Sequence, residues 1–285
     1  MTATASPVLV TEVSTGYLRV TFNNPPINLF DPDVFAALRL LTERLEADDD
    51  VRVVVLESAD PDYWISHLDV HRLHEVPDVP GAANLAEEWH RFVTRFAGLP
   101  VISIASIRGR TRGIGNELAL ACDLRFASRE KAIVAQPEVG FGVPPGGGAL
   151  DWLPALVGRS RALEIIASAD DFDATTAELY GWVNRALADA ELDGFVDALA
   201  RRIAGWHRPA IASAKRIIDE RTPPPSEGDL LQSFSAILEA VGWPAARARM
   251  AEMEERGWGK ATEAELNHPD HLRELAEQLA ETQEG

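Results

Sequence analysis

Residues 109–123, GRTRGIGNELALACD, fit a tight turn and a short helix between two β-rich runs, 101–107 and 124–127. That order constrains the fold more than any other feature of the chain. Strands alternating with helices pair in parallel, with the helices as crossovers. Gly113-Ile114-Gly115 lets the backbone turn sharply, and residues 116–123 then read as a helix. A new helix presents unpaired N–H groups and the positive end of its dipole. An oxygen that gains negative charge during a reaction is stabilised there. A second run, AQPEVGFGVPPGGG at 135–148, places Glu138 just ahead of a glycine- and proline-rich stretch, at the end of an element. Glu117 and Glu138 are therefore two carboxylates near one anion-stabilising helix start. Such a pair can hold opposite protonation states and divide acid and base work. A glutamate in a first helical turn is common for dipole reasons alone; its coincidence with Glu138 favours catalysis.

These runs resemble the enoyl-CoA hydratase/isomerase (crotonase) superfamily. Its G-x-x-x-G-x-G-x-E-L-A-x-x-C-D run carries the first catalytic glutamate, and a Q-P-E run about twenty residues later carries the second. Here the separation is 138 − 117 = 21 residues. Phe22 to Asn28 is similar to the family's L-N-x-P-x-x-N turn, Val143 to Gly148 to its P-G-x-G-G turn, and Ala174 to Val183 to its A-x-x-A-x-x-x-G-x-V run. The likeness covers roughly residues 8–220.

The resemblance implies an α/β fold: a crotonase-like spiral of ββα units with a C-terminal helical trimerisation region. Residues 1–200 would form the core with the acyl-CoA site, and 201–285 the helical region. It implies a lyase of fatty acid metabolism, an enoyl-CoA hydratase adding water across a 2-enoyl-CoA double bond through an oxyanion-stabilised enolate and two glutamates. Retention of both acids favours hydration, since one group must serve the water and the other the carbon that receives its proton. The alternatives are isomerisation, thioester hydrolysis or carbon–carbon cleavage of an acyl-CoA, or a catalytically silent assembly subunit. Coenzyme A enters as part of the substrate; no other cofactor and no metal is implied. The implied assembly is a homotrimer or a dimer of trimers.

By the same resemblance, the oxyanion hole consists of the main-chain N–H groups of Ile114 and Ser66. Substrate or CoA would meet His67, Leu68, Asp69, Arg72, Arg110, Arg112 and Gly113. Ser66-His67-Leu68-Asp69 stands where the family has Ala-Gly-Ala-Asp. His67 thus replaces a glycine that often needs an unusual backbone conformation, and histidine enters left-handed space only with difficulty. It lines the acyl pocket or lies at the surface, and the surface reading is slightly favoured. Asp69 reads more simply as a cap of a following helix.

The formal charge is −18. Such acidity argues against nucleic acid or an anionic membrane as partner, and it demands a local positive patch for an anionic CoA ester. Only Lys131, Lys215 and Lys260 of the 27 basic residues are lysines, so arginine supplies most positive charge. Arg108, Arg110 and Arg112 beside the first motif are candidates for that patch, with solvated loop charges as the bland alternative. The single cysteine, Cys122, lies in an apolar helical run and reads as a small core residue, and one cysteine allows no internal disulfide. The absence of a basic, apolar leader at the N-terminus, with the lone cysteine, fits a cytoplasmic protein.

The rest of the chain orders itself by periodicity. Residues 8–13 and 17–22 form a hairpin, and Asp31-Pro32 starts a helix. Residues 51–56 make a buried strand, 85–96 a helix and 133–135 a short strand. Helices follow at 159–168, 175–180, 195–204 and 210–221, with others at 227–241, 244–256 and 270–283 beyond a proline break. Leu230, Phe234, Ile237, Leu238 and Val241 make an apolar stripe that is expected to pack on the core or a neighbouring subunit.

Overall fold

The protein is described by a computed structural model covering residues 6–72 and 85–284. Residues 1–5, part of the N-terminus read as lacking an export signal, lie outside them. The chain opens with the expected hairpin, β1 (Val8–Ser14) and β2 (Tyr17–Phe22). Helix α1 (Pro32–Ala47) follows; the Asp31 side chain accepts the Val34 amide at 2.9 Å and Pro32 occupies the first turn. Three repeats of similar plan come next. The first is β3 (Val53–Ser58), β4 (Tyr63–Ile65) and α2 (Leu85–Ala97); the second is β5 (Ile102–Ile107), β6 (Arg110–Arg112) and α3 (Ile114–Ala121). The third is β7 (Leu124–Ser128) and β8 (Ile133–Ala135), a single 3-10 turn at Glu138–Phe141, and helices α4 (Ala149–Val157) and α5 (Arg159–Ser168).

In each repeat the first strand joins one sheet and the second joins another. The larger sheet runs β1-β2-β3-β5-β7-β10, parallel from β2 onward, with β10 (Arg185–Leu187) at its edge. The smaller runs β4-β6-β8-β9; its first three strands are parallel and β9 (Asp171–Asp173) is antiparallel. This is a crotonase-like α/β spiral of ββα units. Helix α6 (Ala174–Tyr180) links β9 to β10.

Strand β3 shows why the larger sheet is buried on both faces. Val54 and Leu56 enter the main core with residues of α1, α2 and α3. Val53 and Val55 face the other way, onto Leu192, Val196 and Ala200 of α7 (Asp189–Ala204). The apolar run Val53 to Leu56 satisfies both layers. Position 200 therefore lies inside a helix that packs on the sheet. The remaining helices are α8 (Arg208–Arg221), α9 (Glu227–Ala240), α10 (Pro244–Glu255), α11 (Glu263–Leu266) and α12 (His268–Glu284).

Helix α3 is buried on almost every side, Gly115 through Ala121 included. Its C-terminal carbonyls are covered by the buried Arg125 guanidinium, which donates to Ala119 O at 3.2 Å, Leu120 O at 3.3 Å and Cys122 O at 2.6 Å. Cys122 belongs to the core as expected, and burial pushes its thiol up to about 12, so it stays protonated and inert.

Candidate active site

Helix α3 begins two residues earlier than its sequence suggests. Gly113 caps it at φ 52°, a left-handed value that glycine tolerates. A side chain there would also approach Glu138 Oε1 to 2.9 Å. The Gly113 carbonyl accepts the Glu117 amide at 3.0 Å. Carbonyl and N–H point opposite ways across a trans peptide, so the Ile114 N–H points out of the helix start. It meets no acceptor among the described residues.

Glu117 sits one turn along and is 3% exposed. Its Oε1 accepts the backbone N–H groups of Gly147 at 2.8 Å and Ala149 at 3.1 Å. Burial raises its pKa to about 7 against those two donors. A side chain at Gly147 would overlap the Glu117 carboxyl, so the glycine turn at 146–148 is the cradle for this acid. The Trp89 indole N–H fixes that turn by donating to Gly147 O at 2.9 Å.

Glu138 opens the 3-10 turn, and its environment differs. Its Oε1 accepts one side-chain donor, Gln136 Nε2 at 3.1 Å, while Oε2 is buried without a partner. Burial raises its pKa to about 8, and the neighbouring Glu117 charge adds to the rise. At neutral pH Glu117 is the more ionised of the two and Glu138 the more protonated. The Gln136 amide is itself oriented by a buried chain. Trp182 Nε1 donates to Asn116 Oδ1 at 2.9 Å, and Asn116 Nδ2 donates to Gln136 Oε1 at 2.6 Å. Each amide has its oxygen engaged, so its N–H₂ must face onward toward Glu138.

The loop after β4 corrects one expectation. The Ser66 N–H donates to Asn28 O at 3.3 Å, and Ser66 is fully buried away from the cavity. Its amide is engaged in holding the Asn28 turn. Two residues on, the geometry changes. Phe30 N donates to His67 O at 2.8 Å, which fixes the peptide joining His67 to Leu68. The Leu68 N–H on the opposite side of that peptide meets no acceptor among the described residues, and Leu68 lines the cavity. No side-chain signature could have distinguished Leu68 from Ser66, because the group concerned belongs to the main chain.

His67 is buried, against the surface reading, and its φ is not positive. Its ring stacks on Trp258 at 4.3 Å and borders the cavity. Asp69 Oδ1 accepts the His71 amide at 3.1 Å in a local turn; the helix it was expected to cap falls on residues beyond the described ones.

The arginines divide. Arg112 is fully buried and cannot reach a phosphate. It forms a bidentate pair with Asp171 at 2.8 and 2.5 Å, and Nη1 donates to Glu265 O at 2.6 Å. It clamps the C-terminal helices to the smaller sheet, because a buried guanidinium must satisfy its donors internally. Arg108 pairs with Asp189 and Asp193. Arg110 donates to Leu266 O at 3.0 Å and is only partly buried. Arg72 pairs with Asp31 at 2.8 Å and Asp33 at 3.0 Å near the cavity rim.

The fold gathers Gly113, Ile114, Glu117, Glu138, His67 and Leu68 around one cavity of about 310 Å³. Its walls are largely apolar. Phe30, Phe35 and Trp89 supply part of them, and Phe234, Ile237 and Leu238 of α9 close them. The C-terminal stripe thus folds back on its own subunit at these positions. Periodicity showed the stripe but not which surface it covers.

A family model for enoyl-CoA hydratase/isomerase matches residues 12–233. A short-chain-enoyl-CoA hydratase of Clostridium acetobutylicum is 29% identical over 201 residues, covering 70% of this chain and 76% of that protein. A structure from Streptomyces avermitilis, provisionally described as an enoyl-CoA hydratase, superposes with a TM-score of 0.87 at 39% identity, over 95% of this chain and 98% of its own. An enoyl-CoA hydratase from Mycobacterium avium subsp. paratuberculosis gives a TM-score of 0.77 at 25% identity, covering 89% and 97%. With the spiral fold and the paired carboxylates already in place, these likenesses settle the kinship: the chain belongs to the enoyl-CoA hydratase/isomerase family.

Proposed function

We propose that the protein is an enoyl-CoA hydratase acting on 2-enoyl-CoA thioesters. The observation that carries this reading is the pair of buried carboxylates in unlike environments, facing one apolar cavity at a helix start. The thioester oxygen lies between the Leu68 and Ile114 N–H groups. The Glu117 carboxylate takes a proton from water as its oxygen bonds to C3, and the negative charge moves to the thioester oxygen. Glu138, as the acid, delivers its proton to C2 when the enolate collapses. Water is thereby divided, with hydroxyl on C3 and hydrogen on C2. Proton exchange returns both glutamates to their starting states.

Gly113 gives the close approach that lets Glu138 face the helix start. Arg72 and Arg110 are the candidates to meet the charged CoA moiety, while Arg112 is excluded by burial. The Clostridium relative supports short acyl chains, which the bulk of Trp89 and Phe234 also favours. Assembly as a homotrimer or a dimer of trimers fits the exposed Leu40, Leu179 and Ile218 side chains. Among the described residues no helix is long and apolar enough to cross a membrane; a cytoplasmic setting accords with the lone buried cysteine. The test is a panel of 2-enoyl-CoA esters followed by loss of the conjugated thioester absorbance. Glu138→Gln should lower kcat about 10²–10⁴-fold with folding retained. Hydration at the wild-type rate by this variant would overturn the assignment, as would a wild-type protein that hydrates no ester of the panel.

A further inference from the structure

The His67 side chain is tied to a segment almost two hundred residues away. Its Nε2 lies 3.1 Å from Glu265 Oε2, and its Nδ1 lies 2.8 Å from Leu68 O. Both neighbours are acceptors, so both contacts are hydrogen bonds only when the ring carries two N–H groups. Glu265 is fully buried at the end of α11 and is itself fixed. Its Oε2 accepts the Gly259 amide at 3.0 Å, and its Oε1 is 3.7 Å from Arg112 Nη1. Burial opposes ionisation of Glu265, but His67, His268 and the Gly259 amide together outweigh it and hold its pKa well below the usual carboxylate range.

The consequence falls on residue 68. The peptide before it is pinned by Phe30 N on His67 O, and the peptide after it by Asp69 N on Phe30 O at 3.0 Å and by the His67 ring on Leu68 O. Between these pins lies the Leu68 N–H, one of the two donors assigned above to the thioester oxygen. We propose that Glu265 is a positioning residue for the oxyanion hole: from the C-terminal segment it holds the His67 ring, and through that ring the Leu68 peptide. The inference rests on the hydratase reading and adds to it a specific long-range requirement. Other charged or titratable groups facing this cluster include Arg112, Asp171, Tyr63, His268 and His271.

A donor that is slightly misaligned costs more in the transition state, where the oxygen is charged, than in the ground state. Glu265→Gln keeps an oxygen for the Gly259 amide but loses the charge that holds the ring. It should lower kcat about 10- to 100-fold and change KM less than threefold. His67→Gly removes the intermediary. Added to His67→Gly, Glu265→Gln should cost less than twofold, because the pathway it acts through is gone. A direct readout is the infrared carbonyl stretch of butyryl-CoA, a saturated thioester that cannot be hydrated, bound to each protein. Wild type should shift that band to lower frequency, and Glu265→Gln should lose a large part of the shift. Unchanged kcat and an unchanged carbonyl shift in a folded Glu265→Gln protein would overturn the proposal while leaving hydratase activity intact. Equal losses from Glu265→Gln in the wild-type and His67→Gly backgrounds would overturn it too. Failure of the wild-type protein to bind any acyl-CoA would instead remove the functional reading, and the positioning role with it.

Discussion

Replacing Glu117 by Gln should make the protein less active and more stable, in a pH-dependent way. The folded-state pKa is about 7 and the ordinary value is 4.5. A raised carboxyl pKa means that the protonated form is favoured in the folded protein. Its stability contribution is fully present below about pH 4.5 and is lost as pH rises through about 7. The difference of 2.5 pKa units corresponds to about 3 kcal/mol at 1.36 kcal/mol per unit. Glutamine is neutral at every pH and keeps an oxygen for the Gly147 and Ala149 amides. Above pH 7 the variant should therefore gain up to about 3 kcal/mol, which shifts Tm by roughly 5 °C or more in a chain of this size. Below pH 4.5 the gain should vanish. Thermal melts of wild type and variant from pH 4 to 9 measure it, and turnover of a 2-enoyl-CoA should fall about 10²–10⁴-fold in the same protein. A variant that melts at or below wild type at pH 8, or whose gain does not vary with pH, would show that Glu117 carries no burial penalty and would refute the acid–base assignment built on it.

The pH profile of kcat/KM should be bell-shaped, rising near pH 7 as Glu117 ionises and falling near pH 8 as Glu138 loses its proton; a flat profile from pH 6 to 9 would count against the pair. Gly147→Ala should abolish turnover in a folded protein by displacing the Glu117 carboxyl, and activity above a tenth of wild type would show that the cradle is not tight. Arg112→Met should destabilise the fold by about 3–5 kcal/mol, since it takes the bidentate partner from Asp171 and the donor from the Glu265 and Leu266 carbonyls; denaturant melts decide this, and a loss below 1 kcal/mol would contradict the clamp. Light scattering should give three or six times the 31.1 kDa subunit mass, and an active monomer at micromolar concentration would end the assembly proposal.

The site and the fold were legible in the sequence to different depths. Glu117 and Glu138 could be read because their glycine-rich contexts constrain backbone and side chain together. The hairpin, α1 and α5 carried strong periodicity and capping signals. Four strands of the smaller sheet did not, because β4, β6, β8 and β9 are three residues each, too short for alternation to show; of these only β8 was anticipated. Arg112 was expected to meet the CoA moiety as part of a positive patch beside the motif. Its partners lie 59 and 153 residues away, beyond the reach of local pattern. Leu68 was expected to meet substrate, but its amide was not singled out, for a related reason: the direction of that N–H is set by Phe30, while Ser66 has its own amide engaged by Asn28.

The Arg112 clamp also sets an order of events in synthesis. Arg112 leaves the ribosome 59 residues ahead of Asp171 and 153 residues ahead of Glu265. At about 5–20 residues per second the second interval lasts roughly 8–30 s. During it β7 and then β10 emerge and complete the strands of the larger sheet, while the segment that latches His67 does not yet exist. The geometry thus implies that the scaffold forms first and the donor loop is locked only when α11 arrives. On this account a nascent chain halted near residue 250 resists protease across β3 and β5 but turns over a 2-enoyl-CoA at least about tenfold more slowly than the full chain; turnover at the full chain's rate would contradict it. The clamp then acts as a check on completeness, with full turnover withheld from chains that lack their last helices.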